Sequence, residues 1–378
     1  MPNPRIFVFA PADHSKDSHE RLEKFGCDLI IGKASWNTPQ SEIEDEMVDI
    51  SRDCDALLGT SNRSCPISRS IMGTNPDLRI VSKCTSGVDD VDVEAATEMG
   101  ILVCYAPTES NCNGAAEGTV AMILARLKKT IERDRTIKSG KWRDTGLMGR
   151  YLGRRDTDSY PGLTLGIIGL GRIGSRVCEL MAPWHMRIIA CDPYVPDQKF
   201  THYGVEKFDL DALLAESDIV SMHCVTTPET LNLMNADRFA LMKPDAIFIN
   251  TARGANVDEA ALIKALEMNV IAGAAIDAFQ EEPIAAGSPL RKLGDKITLS
   301  AHMVAYNESY GAGDGGIGPG YRWATQAILK ALSGEVPNNV FNVEVIERWK
   351  ERFGGQNILT VPEPVPDHPG YGPPVWTS

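Results

Sequence analysis

The chain has no apolar run of about 18 residues, the length a membrane-spanning helix needs. It has no C-x-x-C pair either. Its nine cysteines are scattered, mostly in or beside apolar runs such as Ile189-Ala190-Cys191 and Val103-Cys104. Thiols placed this way read as buried free cysteines of a reducing compartment, which sets aside both a disulfide framework and a metal site. Basic charge is in short supply. Lysine and arginine number 38 against 51 aspartates and glutamates, a formal net charge of −13, which argues against nucleic acid and anionic membrane surfaces as partners. No secretory signal pattern is visible, so the expected location is cytoplasmic. With 43% hydrophobic and 24% charged residues over 378 positions, there is material for two domains and a large core.

What the chain does have is concentrated near its middle. Leu165-Gly166-Ile167-Ile168 runs into Gly169-Leu170-Gly171-Arg172-Ile173-Gly174, and Val177, Leu180 and Met181 follow at helical spacing. The pattern predicts strand, tight turn, helix. In a G-x-G-x-x-G turn the first glycine permits the bend, and the second lets backbone approach a pyrophosphate. The third lets helix and strand pack closely. The helix N-terminus then offers N–H groups and partial positive charge to phosphates. A second apolar run, Arg187-Ile188-Ile189-Ala190-Cys191, ends in Asp192, about 20 residues on, where such a turn requires its acid. Glycines alone also make ordinary turns. Strand, helix and acid together point to a dinucleotide.

Ahead of this motif, residues 5–10, 27–31, 55–58, 78–82 and 100–104 read as buried strands, and 42–49 as the start of an amphipathic helix. His14 and His19 lie in a polar stretch and are read as solvated. Strands alternating with helices predict a parallel sheet, so the first part of the chain is an α/β unit of its own. A long helix is predicted from Ala115 to about Arg135, with Asn111 capping or preceding it, then a polar arm over 136–160. Strands are predicted over 187–191, 218–222, 246–250, 272–276 and 296–300, and helices over 210–216, 235–242 and 258–268. That is a doubly wound domain. Beyond His302 the glycines of 311–320 exclude a regular helix, since each costs about 1 kcal/mol in a helix interior. A helix is predicted over about 321–332, and a proline-rich tail, extended or disordered, after Gly354.

Three stretches stand at predicted strand ends of the doubly wound domain: Asn250-Thr251-Ala252-Arg253-Gly254, Asp277-Ala278-Phe279-Gln280-Glu281-Glu282-Pro283 and Ser300-Ala301-His302. Ligands of open α/β sheets sit beyond the carboxyl ends of the strands, which draws Arg253, Glu282 and His302 toward one crevice beside a nicotinamide. The trio suits one reaction. A hydride leaving the carbinol carbon of a 2-hydroxy acid is matched by a proton leaving its hydroxyl. Imidazole, with a reference pKa of about 6.5, is the natural base. A carboxylate on its far nitrogen sets the tautomer and favours the imidazolium, and a guanidinium grips the substrate carboxylate. Taken singly, Arg253 could be a surface charge, Glu282-Pro283 a turn and His302 a structural residue. His223 is read as structural or cofactor-lining, and His185, His202 and His368 as structural or solvated.

Thr85-Ser86-Gly87-Val88-Asp89, the 111–117 stretch, Gly169 to Gly174, Cys191-Asp192-Pro193-Tyr194, Asn250 to Gly254, Glu282-Pro283 and His302 resemble the motif series of D-isomer-specific 2-hydroxyacid dehydrogenases, in order and spacing, over roughly residues 50–305. The resemblance implies Arg253, Glu282 and His302 as the catalytic set. It implies NAD on Gly169, Gly171, Arg172, Ile173, Gly174 and Asp192, with Thr119, Thr251, Ala252 and Asp277 alongside. Ser86, Gly87, Val88 and Asn111 would hold a small 2-hydroxy or 2-keto acid. It further implies two doubly wound parallel-sheet domains: a Rossmann NAD-binding domain (109–303) and a discontinuous flavodoxin-like substrate domain (1–108 and 304–378), with a homodimer formed through the nucleotide domain.

The chain departs from the family where glycines follow the histidine. That stretch reads either as a segment over the substrate mouth, with Tyr306, Asn307, Tyr310, Arg322 and Trp323 as contacts, or as a tolerated surface loop. No regulatory domain follows, which points away from a long-form phosphoglycerate dehydrogenase. Two rival readings stand beside a dehydrogenase of 2-hydroxy acids. Formate dehydrogenases resemble this architecture but carry glutamine where this chain has Glu282. NAD-sensing corepressors share the fold without turnover.

Overall fold

Short runs buried along most of their length build two separate sheets. The computed structural model describes residues 2–10, 16–33, 44–61, 65–306, 318–361, 365–368 and 371–372. The chain divides into two compact units, Met1–Asn111 with Tyr306–Ser378, and Cys112–Ala305. The 311–317 glycines, Asn307, Tyr310, His14 and prolines 362, 364, 369, 373 and 374 lie outside the described residues.

The first unit holds β1 (Arg5–Phe9), β2 (Asp28–Ile31), β3 (Ala56–Gly59), β4 (Ile80–Lys83) and β5 (Leu102–Cys104), all parallel in the order β2-β1-β3-β4-β5. Side chains alternate between two cores, as the pleat requires. Ile6, Val8, Ala56, Leu58, Ile80 and Leu102 face one core; Phe7, Phe9, Leu57, Val81 and Val103 face the other. The first core is closed by the helix Gly318–Ser333 through Tyr321, Ala324, Ala327 and Ile328, and by Trp349 of the helix Ile346–Phe353. The end of the chain thus completes the sheet begun at its start.

Several local expectations shift. The long helix begins at Glu109 and ends at Lys128; Lys129 is left-handed (φ 51°) and a second helix, Thr130–Lys138, follows. The Thr108 hydroxyl accepts from the Asn111 N–H at 3.4 Å, so Thr108 rather than Asn111 satisfies that first turn. Gly318–Gly320 join the last long helix instead of breaking it. Gly320 is required there, because a Cβ would fall 2.0 Å from the Cys84 carbonyl. His19 is not solvated: it sits on the helix Asp17–Lys24, half-buried, its ring edge-on to Tyr321 with centroids 6.3 Å apart. The described tail lies as a strap, with Ile358 N–H on the Leu332 carbonyl and the Tyr371 hydroxyl donating to Asn339 Oδ1.

The second unit holds β6 (Thr164–Ile168), β7 (Arg187–Cys191), β8 (Glu206–Lys207), β9 (Ile219–Met222), β10 (Ile247–Asn250), β11 (Gly273–Ile276) and β12 (Ile297–Leu299). They form one parallel sheet in the order β12-β11-β10-β9-β6-β7-β8. The direction of winding reverses between β6 and β9, the switch point at which such sheets open a ligand crevice. The two-residue edge strand β8 is exposed on both residues and leaves no apolar run to detect. None of the nine cysteines forms a disulfide; six are buried and three half-buried.

Candidate active site

The glycine turn starts where β6 ends. Gly169 is left-handed (φ 93°), and a Cβ there would lie 2.9 Å from the His223 and Cys224 backbone. A Cβ on Gly174 would lie 2.1 Å from the Gly169 carbonyl, so this glycine lets the helix Arg172–Met181 press onto its own strand. Gly171 differs: a Cβ there would meet nothing within 4 Å. It caps the helix with no side-chain hydrogen bond, and the first turn carries no acidic residue, leaving N–H groups and the helix dipole for an anion. Asp192, at the end of β7, accepts from the Leu170 N–H at 2.8 Å and the Tyr194 N–H at 3.0 Å. A carboxylate has about four lone-pair directions, so capacity remains for ribose hydroxyls. The cradle fits a dinucleotide.

Neighbouring strand ends hold the other candidates. At the end of β10, buried Asn250 accepts from the Ala252 N–H (3.1 Å) and donates to the Arg253 carbonyl (3.0 Å), shaping the turn that presents Arg253. Arg253 donates to the Ala252 carbonyl at 2.8 Å. Gly254 packs against the chain after β11, where a Cβ would fall 1.9 Å from the Phe279 carbonyl carbon. The Phe279 N–H donates to Glu282 Oε1 at 2.9 Å. Glu282, its side chain 5% exposed, faces His302 Nδ1 with Oε1 at 3.0 Å and Oε2 at 3.1 Å. A carboxylate facing Nδ1 favours a proton on that nitrogen. The structure thus brings Arg253, Glu282 and His302 onto adjoining strand-end loops.

Asp277 and Asn250 do more than a sequence pattern conveys. Asp277 is buried and accepts from the Met303 N–H (2.9 Å) and the Val304 N–H (3.3 Å), while its carbonyl accepts from the His302 N–H (2.8 Å). It clamps the backbone that carries His302, which stands at φ 56°. The only hint in sequence is a polar residue ending an apolar strand. Thr119 is fully buried; its hydroxyl donates to the Ala115 carbonyl (2.7 Å) and so accepts from Thr251 (2.8 Å). His223, after β9, has Nε2 2.9 Å from the Ser221 hydroxyl and a buried Nδ1 without a partner; burial pulls its pKa down to about 4. Burial raises the Cys191 and Cys224 thiol pKa values, so both stay neutral. No group of metal-ligating side chains occurs among the described residues.

In the first unit, the loop after β4 carries the candidates for the substrate carboxylate. The Ser86 hydroxyl lies 3.0 Å from the Ala106 carbonyl and 2.9 Å from Asn111 Oδ1, and Thr85 donates to the Gly87 carbonyl at 3.0 Å. Buried Lys83 is paired with Asp90 across the base of that loop and donates to the Thr60 carbonyl at 2.7 Å.

Residues 120–304 match the family described as D-isomer specific 2-hydroxyacid dehydrogenase, NAD binding domain. Over 352 residues the sequence is 34% identical to the glyoxylate reductase of Korarchaeum cryptofilum, covering 91% of this chain and 97% of that protein. The chain belongs to the D-isomer-specific 2-hydroxyacid dehydrogenase family. The Cys112–Ala305 unit is the NAD-binding domain of this dehydrogenase family, and NAD is its cofactor. The D-3-phosphoglycerate dehydrogenase of Synechocystis sp. is 33% identical over 308 residues, 81% of this chain; the match spans about half of that longer protein, 53%. A solved structure of a Thermus thermophilus protein is similar with a TM-score of 0.75 at 29% identity, covering 89% of this chain and 99% of that one.

Proposed function

We propose that the protein is an NAD-dependent dehydrogenase that interconverts a small D-2-hydroxy acid and its 2-keto acid, with Arg253, Glu282 and His302 as its catalytic residues. The observation that carries this reading is the two-oxygen grip of Glu282 on His302 Nδ1. It supports an imidazolium whose Nε2 proton goes to the keto oxygen in reduction, and a neutral ring that takes the hydroxyl proton in oxidation. NADH supplies the hydride that reaches the carbonyl carbon. Arg253 grips the substrate carboxylate as a fork and polarises the adjacent carbonyl. Ser86, Gly87, Val88 and Asn111 bind the same carboxylate through main-chain and amide groups. Gly169, Gly171, Arg172, Ile173, Gly174 and Asp192 hold the dinucleotide, with Thr251 and Ala252 alongside; buried Thr119 and Asp277 support it from behind.

Names among the relatives point to glyoxylate and phosphoglycerate, and the substrate proposed here belongs to that class of short-chain acids. The scattered thiols, none of them in a disulfide, support a reducing, cytoplasmic setting. Large exposed apolar side chains between Ile131 and Tyr151, including Ile137, Trp142 and Met148, support a homodimer formed through the nucleotide domain. The test of the activity is a panel of 2-keto acids with NADH, for wild type and Arg253→Lys. Turnover of at least one acid is expected. Arg253→Lys keeps the charge but loses the planar fork, so its KM for the acid should rise by about tenfold or more with NADH affinity unchanged. Absence of turnover across the panel would favour an NAD-sensing binding protein instead.

A further inference from the structure

The unit built from both chain ends holds a cavity that none of the catalytic and binding roles proposed above uses, although Arg322 in its lining is also a sequence candidate for a substrate-mouth contact. It lies between the helix Asp17–Lys24, the helix Gly318–Ser333 and tail residue His368, and has a volume of about 350 Å³. Asp17, Ser18, Arg21, Arg322, Thr325 and His368 line it, with Asp17 exposed at the rim. It shares no lining residue with the loop of Ser86, Gly87 and Val88.

Several of its donors lack acceptors. Half-buried Arg322 has no hydrogen-bond or ion-pair partner among the described residues. Arg21 gives one terminal nitrogen to Gln326 Oε1 (2.7 Å) and the Pro366 carbonyl (2.8 Å), but its Nε is buried without an acceptor, and burial lowers its pKa. Thr325, fully buried at the cavity floor, has an unpartnered hydroxyl. Buried donors are almost always satisfied in folded proteins, so two unsatisfied ones, Arg21 Nε and the Thr325 hydroxyl, beside the unpaired Arg322 guanidinium mark a missing acceptor. Two guanidiniums against a single rim carboxylate leave the space positive. Guanidinium forks match planar or tetrahedral oxyanions, and the volume falls in the range of small-molecule sites.

We propose that this cavity binds a small metabolite through a phosphate or carboxylate group, held by Arg322, Arg21 and the Thr325 hydroxyl. The site is tied to the substrate loop within the same unit. The helix that supplies Arg322 and Thr325 touches the Cys84 carbonyl through Gly320, and its Ala324 carbonyl accepts from the Ser82 hydroxyl at 3.0 Å. An oxyanion here braces the helix just ahead of Ser86.

The experiment is calorimetric titration of the full-length protein under saturating NADH, which occupies the glycine cradle, with inorganic phosphate in one arm and malonate in the other. Saturable binding of at least one anion that persists in Arg253→Ala is expected, and the tighter arm in that background names the recognised group. Arg322→Gln and the near-isosteric Thr325→Val should each weaken it by about tenfold or more, one lost charge-assisted or buried hydrogen bond, while NADH binding stays at the wild-type value. Arg253→Ala, which loses the proposed grip on a substrate carboxylate, isolates the cavity and should retain this binding and its dependence on Arg322. No saturable heat with either anion, equal affinity in the cavity variants, or loss of binding in Arg253→Ala would overturn the assignment.

Discussion

Glu282 is held by the Phe279 N–H while both of its oxygens face His302 Nδ1, so its charge and its orientation act on the ring together. In Glu282→Gln one oxygen remains to serve both donors and the countercharge is gone. Its kcat is expected to fall by about tenfold or more with NADH affinity unchanged. His302→Ala should lose about 10²–10⁴-fold in both directions. The double variant should be little worse than His302→Ala, because groups that act as a unit are not additive; multiplicative losses in steady-state kinetics would separate the pair. His223 makes a different prediction. Its unfolded-state pKa is near 6.5 and its folded value about 4, so below about pH 6.5 the unfolded chain takes up a proton that the folded protein refuses. Stability should fall as pH drops from 6.5 toward 4. Urea midpoints across that window should decline less in His223→Asn than in wild type.

At the scale of elements, the β6 strand and the helix Arg172–Met181 form one cofactor device. Gly174 sets their spacing, Gly171 opens the helix end, and Asp192 fastens the turn through the Leu170 N–H. In the proposed cofactor role the Asp192 carboxylate would repel a 2′-phosphate, and Pro193 and Tyr194 follow it where an arginine would be needed to welcome one. NADH should therefore be favoured over NADPH in kcat/KM by at least about tenfold; equal values for the two cofactors would remove this reading of Asp192. The G-x-G-x-x-G spacing and the apolar runs of β6 and β7 are legible because their cause is local: backbone conformation and the period of a strand. The clamp by Asp277 is not, since its partners Met303 and Val304 are 26 and 27 residues away.

At the scale of the whole molecule, one stretch of the nucleotide domain carries several exposed large apolar side chains. Trp142 is 79% exposed and Met148 70%, with Ile131, Ile137 and Tyr151 also exposed. Exposed apolar side chains that form one patch mark a contact surface. Light scattering should give about twice the 41.2 kDa chain mass, and a Trp142→Glu, Met148→Asp variant should shift toward the monomer with its far-UV spectrum unchanged. A monomeric wild type would leave that surface unexplained and end the dimer reading.

Composition and pattern alone determined the two α/β units, the dinucleotide turn and the acid that follows it, because strand period, glycine spacing and strand-end polarity are properties of short segments. Family resemblance in the motif series supplied the trio and the chain ends that share one sheet. Tertiary structure decided what depends on contacts between distant segments. Gly320 enters a helix because the Cys84 carbonyl leaves no room for a Cβ, and Thr119 is sealed behind Thr251. Asn250 and Asp277 became the supports of Arg253 and His302. Arg21, Arg322 and Thr325, more than 300 residues apart in part, meet around one cavity only once the last long helix lies against the first. Local sequence encodes conformation; which donors are left without acceptors is settled only by packing.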